Sequence, residues 1–459
     1  MGNTLQLDPP RLHLTLERWA ERYGPFYKVR LAGRRAVVIS DAAAAETLLR
    51  ARPQALRRTS NLEPIFAEVG AAGVFSAEGA AWKPQRRLAM DALSSRNLVS
   101  FFPALRAVAE RLRARWLTSA GEPLAIQDDL MRFTVDVTTA LAFGVDLNTL
   151  GGGEVELHRH LAQIFPAFSR RLLSPIPYWR WIRLPADRRL DRALVALRRI
   201  QEQLIAEARA RLAAMPEETR QPKNFLEAMI LAKDDEGRPF SDEIIYGNTL
   251  TMLLAGEDTT ANSLAWVVHD LCERPDVVAR ARREMEPVLG ERFVPPDLET
   301  AGRLPYLDAI ASEAMRLHPV APLIGLEAID DVVAGDVLLP RGTWITLLTR
   351  PPALASEHFA DPTEFKPERW LAGEPHPGPH VRGAAIAFGS GPRICPGRHL
   401  AMLEMRVVLA TLLSSFDIER AGRAVDVRER FSFTMFPEGL RVILRSRERR
   451  LSDSVRPPS

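Results

Sequence analysis

Cysteine and lysine are scarce in this chain of 459 residues. Its only cysteines are Cys272 and Cys395, which excludes a disulfide scaffold and a cysteine-ligated iron–sulfur cluster. Only five of the 61 basic residues are lysines, and the net charge is only +3. No basic run is interleaved with aromatic residues, so a nucleic-acid-binding protein is not expected. The low cysteine content and the lack of a visible signal peptide predict a cytoplasmic protein, and the high arginine content predicts a bacterial source.

Two longer patterns are also missing from the sequence. No run of about 18 apolar residues is present, so no transmembrane helix is predicted. No glycine-rich dinucleotide fingerprint follows a strand pattern, and there is no second cysteine cluster. Any electrons that the protein uses are therefore expected to come from a separate partner.

Helical periodicity dominates what is present, and strand patterns cluster in two short regions. This predicts a mainly α protein with a small β lobe from about residues 26–40 and 332–348, and the length alone would suggest two or three domains. A loop is expected at residues 151–153 and a frayed polar tail from residue 447. Helices are predicted at about 12–23, 82–93, 98–120, 130–143, 189–215 and 242–273, and strands at 26–31, 36–40, 332–339, 344–348 and 440–444.

Cys395 stands in a bend of glycines and prolines, where residues 388–397 read FGSGPRICPG. Glycine allows a close backbone approach, and N–H groups in the bend can hold the sulfur as a thiolate, the form that ligates metal. A helix pattern begins at about Arg398, so its positive end would face the sulfur. The bend is suited to presenting a thiolate to a flat iron cofactor. The alternative is a buried and inert thiol.

A long helical pattern runs through residues 241–275 and carries an unusual centre, AGEDTT, at 255–260. Ser241 can cap this helix, Pro275 is expected to end it, and its length would be roughly 45–50 Å. Glycine followed by acids and threonines is poor helix interior, and a threonine hydroxyl can bond the carbonyl of the preceding turn and bend the helix. A local groove is therefore predicted there, with an ordinary solvated helix as the alternative.

The pattern F-x-x-G-x-R-x-C-x-G around Cys395 closely resembles the heme-binding signature of the cytochrome P450 family, and 255–260 resembles that family's acid–alcohol motif. The resemblance implies the P450 fold as a single domain over 1–459, with heme b between the long helix and the cysteine-bearing loop. It implies that Cys395 ligates the iron, that Thr259 hydrogen-bonds O2 at the heme, and that Asp258 relays protons. Glu257 occupies the family's variable position. The other residues expected to line the cofactor are Phe388, Gly389, Gly397 and Ala255.

Two further motifs agree with this resemblance. Glu313 and Arg316, with Arg369 downstream, reproduce the family's Glu-x-x-Arg triad, whose implied role is structural. Trp82, Arg86 and Arg393 are expected to hold the heme propionates, because guanidinium forks match carboxylates. The chain departs from the family at one place.

That departure lies seven residues past Pro319, where the family often carries another propionate arginine. This chain has Leu326 there, followed by Glu327. Propionate binding must then rely on Trp82, Arg86 and Arg393, either alone or with a further group that the sequence does not locate.

The resemblance implies a monooxygenase that inserts one oxygen atom from O2 into a small apolar substrate. We expect a monomer that receives electrons from a separate ferredoxin with its reductase, or from a flavodoxin-type donor. Lys83, Arg87, Arg398 and Arg406 are candidates for the basic surface that such an acidic partner would meet. The residues predicted to line the substrate pocket are Phe66, Val74, Leu253, Val320, Leu323, Met435 and Phe436.

Two other functions remain open at this point. One is a peroxygenase driven by H2O2, although such relatives usually replace the acid–alcohol pair that is intact here. The other is a non-catalytic heme protein, either a gas sensor or an electron carrier. Asp258 and Thr259 argue against it, and no sensor module is attached.

Overall fold

The structure, a computed structural model, describes residues 3, 6–31, 34–152, 156–161, 163–174, 176–217, 220–374 and 378–447. The α-helices in these ranges are α1 Leu12–Tyr23, α2 Ala42–Arg50, α3 Leu62–Glu68, α4 Trp82–Ala92, α5 Ser95–Thr118, α6 Ile126–Phe143, α7 Glu156–Leu161, α8 Ile164–Leu173, α9 Pro185–Ala213, α10 Phe225–Leu231, α11 Asp242–Leu271, α12 Pro275–Leu289, α13 Leu298–Gly302, α14 Pro305–Leu317, α15 Arg350–Ala353 and α16 Arg398–Ser415. The strands are β1 Phe26–Leu31, β2 Arg34–Ile39, β3 Leu56–Arg58, β4 Pro123–Leu124, β5 Leu323–Ala328, β6 Val332–Ala334, β7 Val337–Leu339, β8 Trp344–Leu348, β9 Phe416–Arg420, β10 Arg428–Phe431, β11 Met435–Glu438 and β12 Val442–Ser446.

The protein is mainly helical, and its largest sheet draws strands from both halves of the chain. That sheet has the order β1-β2-β8-β5-β3, with β2 and β8 parallel and the other neighbours antiparallel. In the β3–β5 pair, Arg58 lies opposite Leu326. Smaller sheets join β10 to β11, β6 to β7, and β12 to both β4 and β9. The predicted fold class, mainly α with a small β lobe, is confirmed.

The long helix α11 forms the centre of the helical part. Ser241 caps it by accepting a hydrogen bond from the N–H of Ile244. Most of its residues are buried, and it packs against α6 and α14. A Cβ on Gly256 would lie 2.5 Å from the Thr138 hydroxyl on α6, so only glycine permits this approach of the two helices. The prediction that Pro275 ends the helix was wrong: α11 ends at Leu271, and Pro275 is the first residue of α12.

Several predicted boundaries also differ from the structure. The strand predicted over 332–339 is a hairpin of β6 and β7, because the chain turns at Gly335, whose φ is 61°. This hairpin lies outside the five-stranded sheet. The predicted strand 440–444 is β12, which runs from Val442 to Ser446. Of the predicted loop at 151–153, residue 153 lies outside the described residues, as does the predicted tail from 448 onward.

Candidate active site

Cys395 lies in a tight bend directly before α16. Gly389 and Gly391 have φ angles of 72° and 71°, in the left-handed region that favours glycine. A Cβ on Gly391 would lie 2.6 Å from the carbonyl oxygen of Leu49, so the bend also packs closely on the end of α2. The N–H of Cys395 donates to the carbonyl of Phe388 at 2.9 Å. These constraints hold the cysteine in one place.

Opposing effects act on the charge of the Cys395 sulfur, and on balance they raise the pKa of the thiol. The residue is solvent-accessible, although protein atoms surround it closely. This desolvation raises the pKa of the thiol, whereas hydrogen bonds from the N–H groups of Gly397 and Arg398 and the nearby Arg86 guanidinium lower it. Both N–H groups belong to the start of α16, whose dipole also favours an anion. Burial also raises the pKa of Cys272, to about 11, and among the described residues no N–H group of a helix start opposes that rise.

The acid–alcohol segment of α11 has the local hydrogen bond that the sequence predicts. The Thr259 hydroxyl donates to the carbonyl of Ala255 at 2.8 Å. Ala255 is exposed and Thr259 half-buried on a helix whose flanking turns are buried, so α11 opens on one face at this point. The Asp258 carboxylate accepts hydrogen bonds from Asn262, at 3.0 Å, and from the Thr434 hydroxyl. Burial raises the pKa of Asp258, and these two bonds act in the opposite direction.

Two more carboxyl groups are buried beside this segment. Glu257 is 2% exposed, and its backbone carbonyl accepts a hydrogen bond from Thr134 on α6. Burial, with a smaller contribution from Asp258, raises the pKa of Glu257 to about 8. Burial also raises the pKa of Glu404 on α16 to about 8, and a hydrogen bond with Thr260 opposes this rise. Both groups can therefore hold a proton near neutral pH.

The predicted propionate residues meet beside the cysteine bend. The guanidinium of Arg393 lies 4.4 Å from the ring centroid of the buried Trp82. Arg393 donates to the carbonyl of Ala77 at 2.8 Å and to the Glu78 carboxylate at 2.5 Å. Arg86 donates to the carbonyl of Ile394 at 2.5 Å. The structure thus brings Trp82, Arg86 and Arg393 together, with Glu78 as a partner that the sequence did not predict.

The Glu313, Arg316 and Arg369 side chains form one buried cluster. Glu313 accepts from Arg316 at 2.8 and 2.9 Å and from Arg369 at 3.0 Å. It also accepts from the indole N–H of Trp370 at 2.8 Å. Arg316 and Arg369 donate in turn to backbone carbonyls of residues 353, 360–362 and 364. This network ties α14 to the segment that precedes the cysteine bend.

The residues predicted to line a pocket lie in separate clusters. Phe66, Val74 and Leu253 pack in one cluster. Val320 and Met435 pack around Trp266 in another. Leu323 packs against the β-sheet cluster near α1, and Phe436 is half-buried in β11.

Five phenylalanines pack against one another in the first of these clusters. Phe66 stacks on Phe168 with ring centroids 4.4 Å apart, and Phe75 lies 5.1 Å from Phe66. Phe433, from the turn between β10 and β11, lies 5.3 Å from Phe165 and 5.7 Å from Phe168. We call these five residues the phenylalanine cluster.

Comparison with known proteins decides the family. The family model for Cytochrome P450 matches residues 1–444. The chain belongs to the cytochrome P450 family. It is similar to the crystal structure of the cytochrome P450DA heme domain, with a TM-score of 0.84 and 23% identity, over 96% of this chain and 94% of that one. The P450 fold is therefore confirmed, and with it a P450 monooxygenase enzyme that requires heme, O2 and electrons.

Two curated relatives show the breadth of the similarity. The mitochondrial 25-hydroxyvitamin D-1 alpha hydroxylase of Homo sapiens is 28% identical, over 93% of this chain and 86% of the relative. The self-sufficient cytochrome P450 monooxygenase CYP505E4 of Penicillium expansum is 26% identical, over 96% of this chain and 42% of the relative. Both relatives are eukaryotic, so they lend no support to the bacterial source predicted from arginine content.

The residues of this P450 fit a heme. The sulfur of Cys395 is accessible and already accepts two N–H groups. A Cβ on Gly397 would lie 3.8 Å from that sulfur, so this glycine leaves the approach open. The buried Nε of Arg393 has no hydrogen-bond partner in the described part of the chain, as expected where an anionic group binds.

The sequence did not predict the hydrogen-bond partners that come from distant segments of the chain. Thr434 and Asn262 hold Asp258, and Glu404 lies beside Thr260. Of these, only Glu404 carried a sequence signal, as a lone acid in the apolar face of α16. Within the described ranges, no helix has the length and apolar character needed to cross a bilayer.

Proposed function

We propose that this P450 binds heme b through the Cys395 thiolate and inserts one oxygen atom from O2 into a small apolar molecule. The observation that carries the proposal is the accessible Cys395 sulfur, held by two N–H groups at the start of α16. A thiolate-ligated heme supplies the activation of O2 and the cleavage of its O–O bond. The chain's own part is to hold the cofactor, position the substrate and deliver protons.

Asp258 and Thr259 deliver the protons in this proposal. The Thr259 hydroxyl stands on the open face of α11, where its one O–H group donates to the Ala255 carbonyl and can turn to donate to O2 instead. Asp258 is held by Thr434 and Asn262, one turn of α11 or less from Thr259. Burial raises the pKa of Asp258, which brings it closer to the pH at which a carboxyl group can relay protons.

The phenylalanine cluster supports an apolar substrate. Its rings come from α3, the loop before α4, α8 and the β10–β11 turn, which converge from opposite ends of the chain. Aromatic walls of this kind bind hydrocarbon or flat ring systems through burial of apolar area and ring contacts. We infer a substrate whose reacting part is a hydrocarbon chain or ring.

A separate protein supplies the electrons in this proposal. Of the four basic residues predicted to face it, Arg87 pairs with Asp235 and Arg406 with Asp308, so their charges are locally neutralised. Lys83 and Arg398 are exposed and form no ion pair in the described part of the chain. A ferredoxin or flavodoxin surface rich in acids would meet these two. Lys83→Glu should slow electron transfer and weaken its salt dependence, whereas Lys28→Glu, on the β1 strand, should not.

The proposed setting is a monomer in the cytoplasm. The low cysteine content supports a reducing compartment. The human relative is named as mitochondrial, so fractionation of cells that express the protein from its own gene is the test of this placement. Recovery in an organelle would overturn it.

Turnover under isotopically labelled O2 tests the proposed reaction. Purified protein loaded with heme, supplied with NADPH and a surrogate ferredoxin pair, is expected to convert a hydrocarbon substrate to a product that carries one labelled oxygen atom. Product formed from H2O2 alone at a higher rate would favour a peroxygenase. Reduction and CO binding without product from any of a broad hydrocarbon panel would favour a non-catalytic heme protein.

A further inference from the structure

Leu326 occupies the position where the family often carries a propionate-binding arginine. It lies in β5, is fully buried, and packs in the cluster between the sheet and α2. An arginine there would project from the same face of the sheet. A cationic group that replaces it would have to come from another element that reaches this face.

Arg58 reaches that face from the neighbouring strand. It is the cross-strand partner of Leu326 in the antiparallel β3–β5 pair. Side chains directly opposite each other project from the same face of a sheet, with Cβ atoms about 5 Å apart. Arg57, one residue earlier, projects from the other face, where it pairs with Glu327 at 3.2 Å.

Contacts with Phe75 hold the Arg58 side chain in place and leave its terminal nitrogens available. Its Nε donates to the carbonyl of Phe75 at 2.6 Å, and its guanidinium lies 3.7 Å from the Phe75 ring centroid. Its two terminal nitrogens have no hydrogen-bond partner among the residues that the structure describes. The Arg58 guanidinium is therefore held in place, and its two terminal nitrogens remain available to donate to a carboxylate.

Arg52, just after α2, is a second cation at the same place. It is 3% exposed, and its Nε and Nη2 have no partner in the described ranges. Burial, and then Arg393, lower its pKa to about 10, while Glu78 acts in the opposite direction. Burial also lowers the pKa of Arg58, with Arg52 and Arg393 adding to the effect. Such a group of buried like charges is costly unless anions join it.

The chain's own carboxylate of Glu78 already lies beside these cations. Glu78 accepts from Arg393 at 2.5 Å and from the backbone N–H of Arg58 at 3.1 Å. Three guanidinium groups, from Arg52, Arg58 and Arg393, thus surround one carboxylate and leave a surplus of two positive charges. Heme b carries two propionate carboxylates, which would neutralise that surplus.

We propose that Arg58, supported by Arg52, takes the place of the arginine missing at Leu326 and binds a heme propionate together with Arg393. The inference rests on the proposed heme b cofactor. It assigns the extra propionate-binding group to the strand that faces Leu326. Variants at Arg58, Leu326 and Arg57 distinguish propionate binding by Arg58 from a contribution to the stability of the sheet.

The test measures heme loss from the loaded full-length protein to apomyoglobin. Arg58→Leu is expected to release heme roughly 10- to 100-fold faster, the usual range for one charge-assisted hydrogen bond. Arg58→Leu combined with Leu326→Arg should recover most of the loss, because the guanidinium returns to the same face from the opposite strand. Arg57→Leu is the matched control on the other face and should release heme at nearly the wild-type rate. Arg52→Gln, outside the sheet, should release it several-fold faster.

Iron protoporphyrin dimethyl ester makes the test specific to the carboxylates. Wild type and Arg58→Leu should release this ester at similar rates. Faster release of heme and ester alike, or wild-type heme release by Arg58→Leu, would overturn the inference while leaving the heme site intact. Failure of the wild type to bind heme with a thiolate spectrum would instead overturn the proposed function, and this inference with it.

Discussion

Thr434 donates a hydrogen bond to the carboxylate of Asp258, although 176 residues separate them in the chain. Thr434 also accepts from Asn262 at 2.9 Å, so the three side chains form a closed set. The turn between β10 and β11 therefore reaches α11 at the residue proposed to relay protons. This contact makes the ionisation of Asp258 depend on a segment remote in sequence.

Thr434→Val should move the pH dependence of turnover upward. The hydroxyl lowers the pKa of Asp258, so its removal leaves burial less opposed and the pKa rises further. The limb of the pH–rate profile that reports Asp258 should shift to higher pH. Thr139→Val removes a buried hydroxyl bonded within α6, and its profile should be unchanged.

A shift in the pH–rate profile must be assigned to Asp258 and not to Glu257. The pKa of Glu257 is about 8, and it lies next to Asp258. Coupled groups titrate as a pair, so the shift should also be measured in a Glu257→Gln background. An unchanged profile for Thr434→Val in both backgrounds would contradict the proposed role of the contact.

Phe433→Ala should weaken the binding of apolar ligands. The ring lies within 6.4 Å of four other phenylalanines, so its loss removes both apolar area and ring contacts. A loss of about tenfold in affinity is expected for a flat hydrocarbon, from ring contacts of ~0.5–1.5 kcal/mol plus lost area. Spectral titration of the heme-loaded protein measures it. Phe293→Ala, a half-buried ring outside the cluster, is the control; equal losses in both variants would count against substrate binding at the phenylalanine cluster.

The local features of this fold could be predicted from the sequence. The helix α1 and the strands β1 and β8 have the predicted bounds, because their periodicity and turn residues are local signals. The Cys395 bend was recognised for the same reason. The partners of Asp258, and Glu78 beside Arg393, were not, since they depend on tertiary packing between distant segments.

Gly256→Ala should destabilise the packing of α11 on α6. The new methyl group would lie 2.5 and 2.9 Å from the Oγ1 and Cγ2 atoms of Thr138, so one helix must move. Overpacking of this kind costs about 1–3 kcal/mol of the free energy of unfolding. Denaturant titration should show that cost, and Thr138→Ala in the same chain should relieve part of it. Gly302→Ala, where the Cβ meets open space, should cost nothing; equal effects at both glycines would contradict the close approach.

Glu313→Ala should cost more than any surface charge. The carboxylate is fully buried, and its loss leaves the buried guanidinium of Arg316 without its ion pair. Removal of one partner from a buried pair costs about 3–5 kcal/mol. Glu110→Ala, which breaks an exposed pair with Arg106, should cost under ~1 kcal/mol. Thermal unfolding followed by circular dichroism compares the two, and similar midpoints would show that the cluster does not stabilise the fold.

The absorption spectrum of the reduced CO complex tests the central claim most directly. Wild type and Cys272→Ser should both show the red-shifted Soret band that reports a thiolate ligand, and Cys395→Ser should lose it. A Cys395→Ser protein that keeps the band, or a wild type that stays colourless with heme in excess, would contradict iron ligation by Cys395.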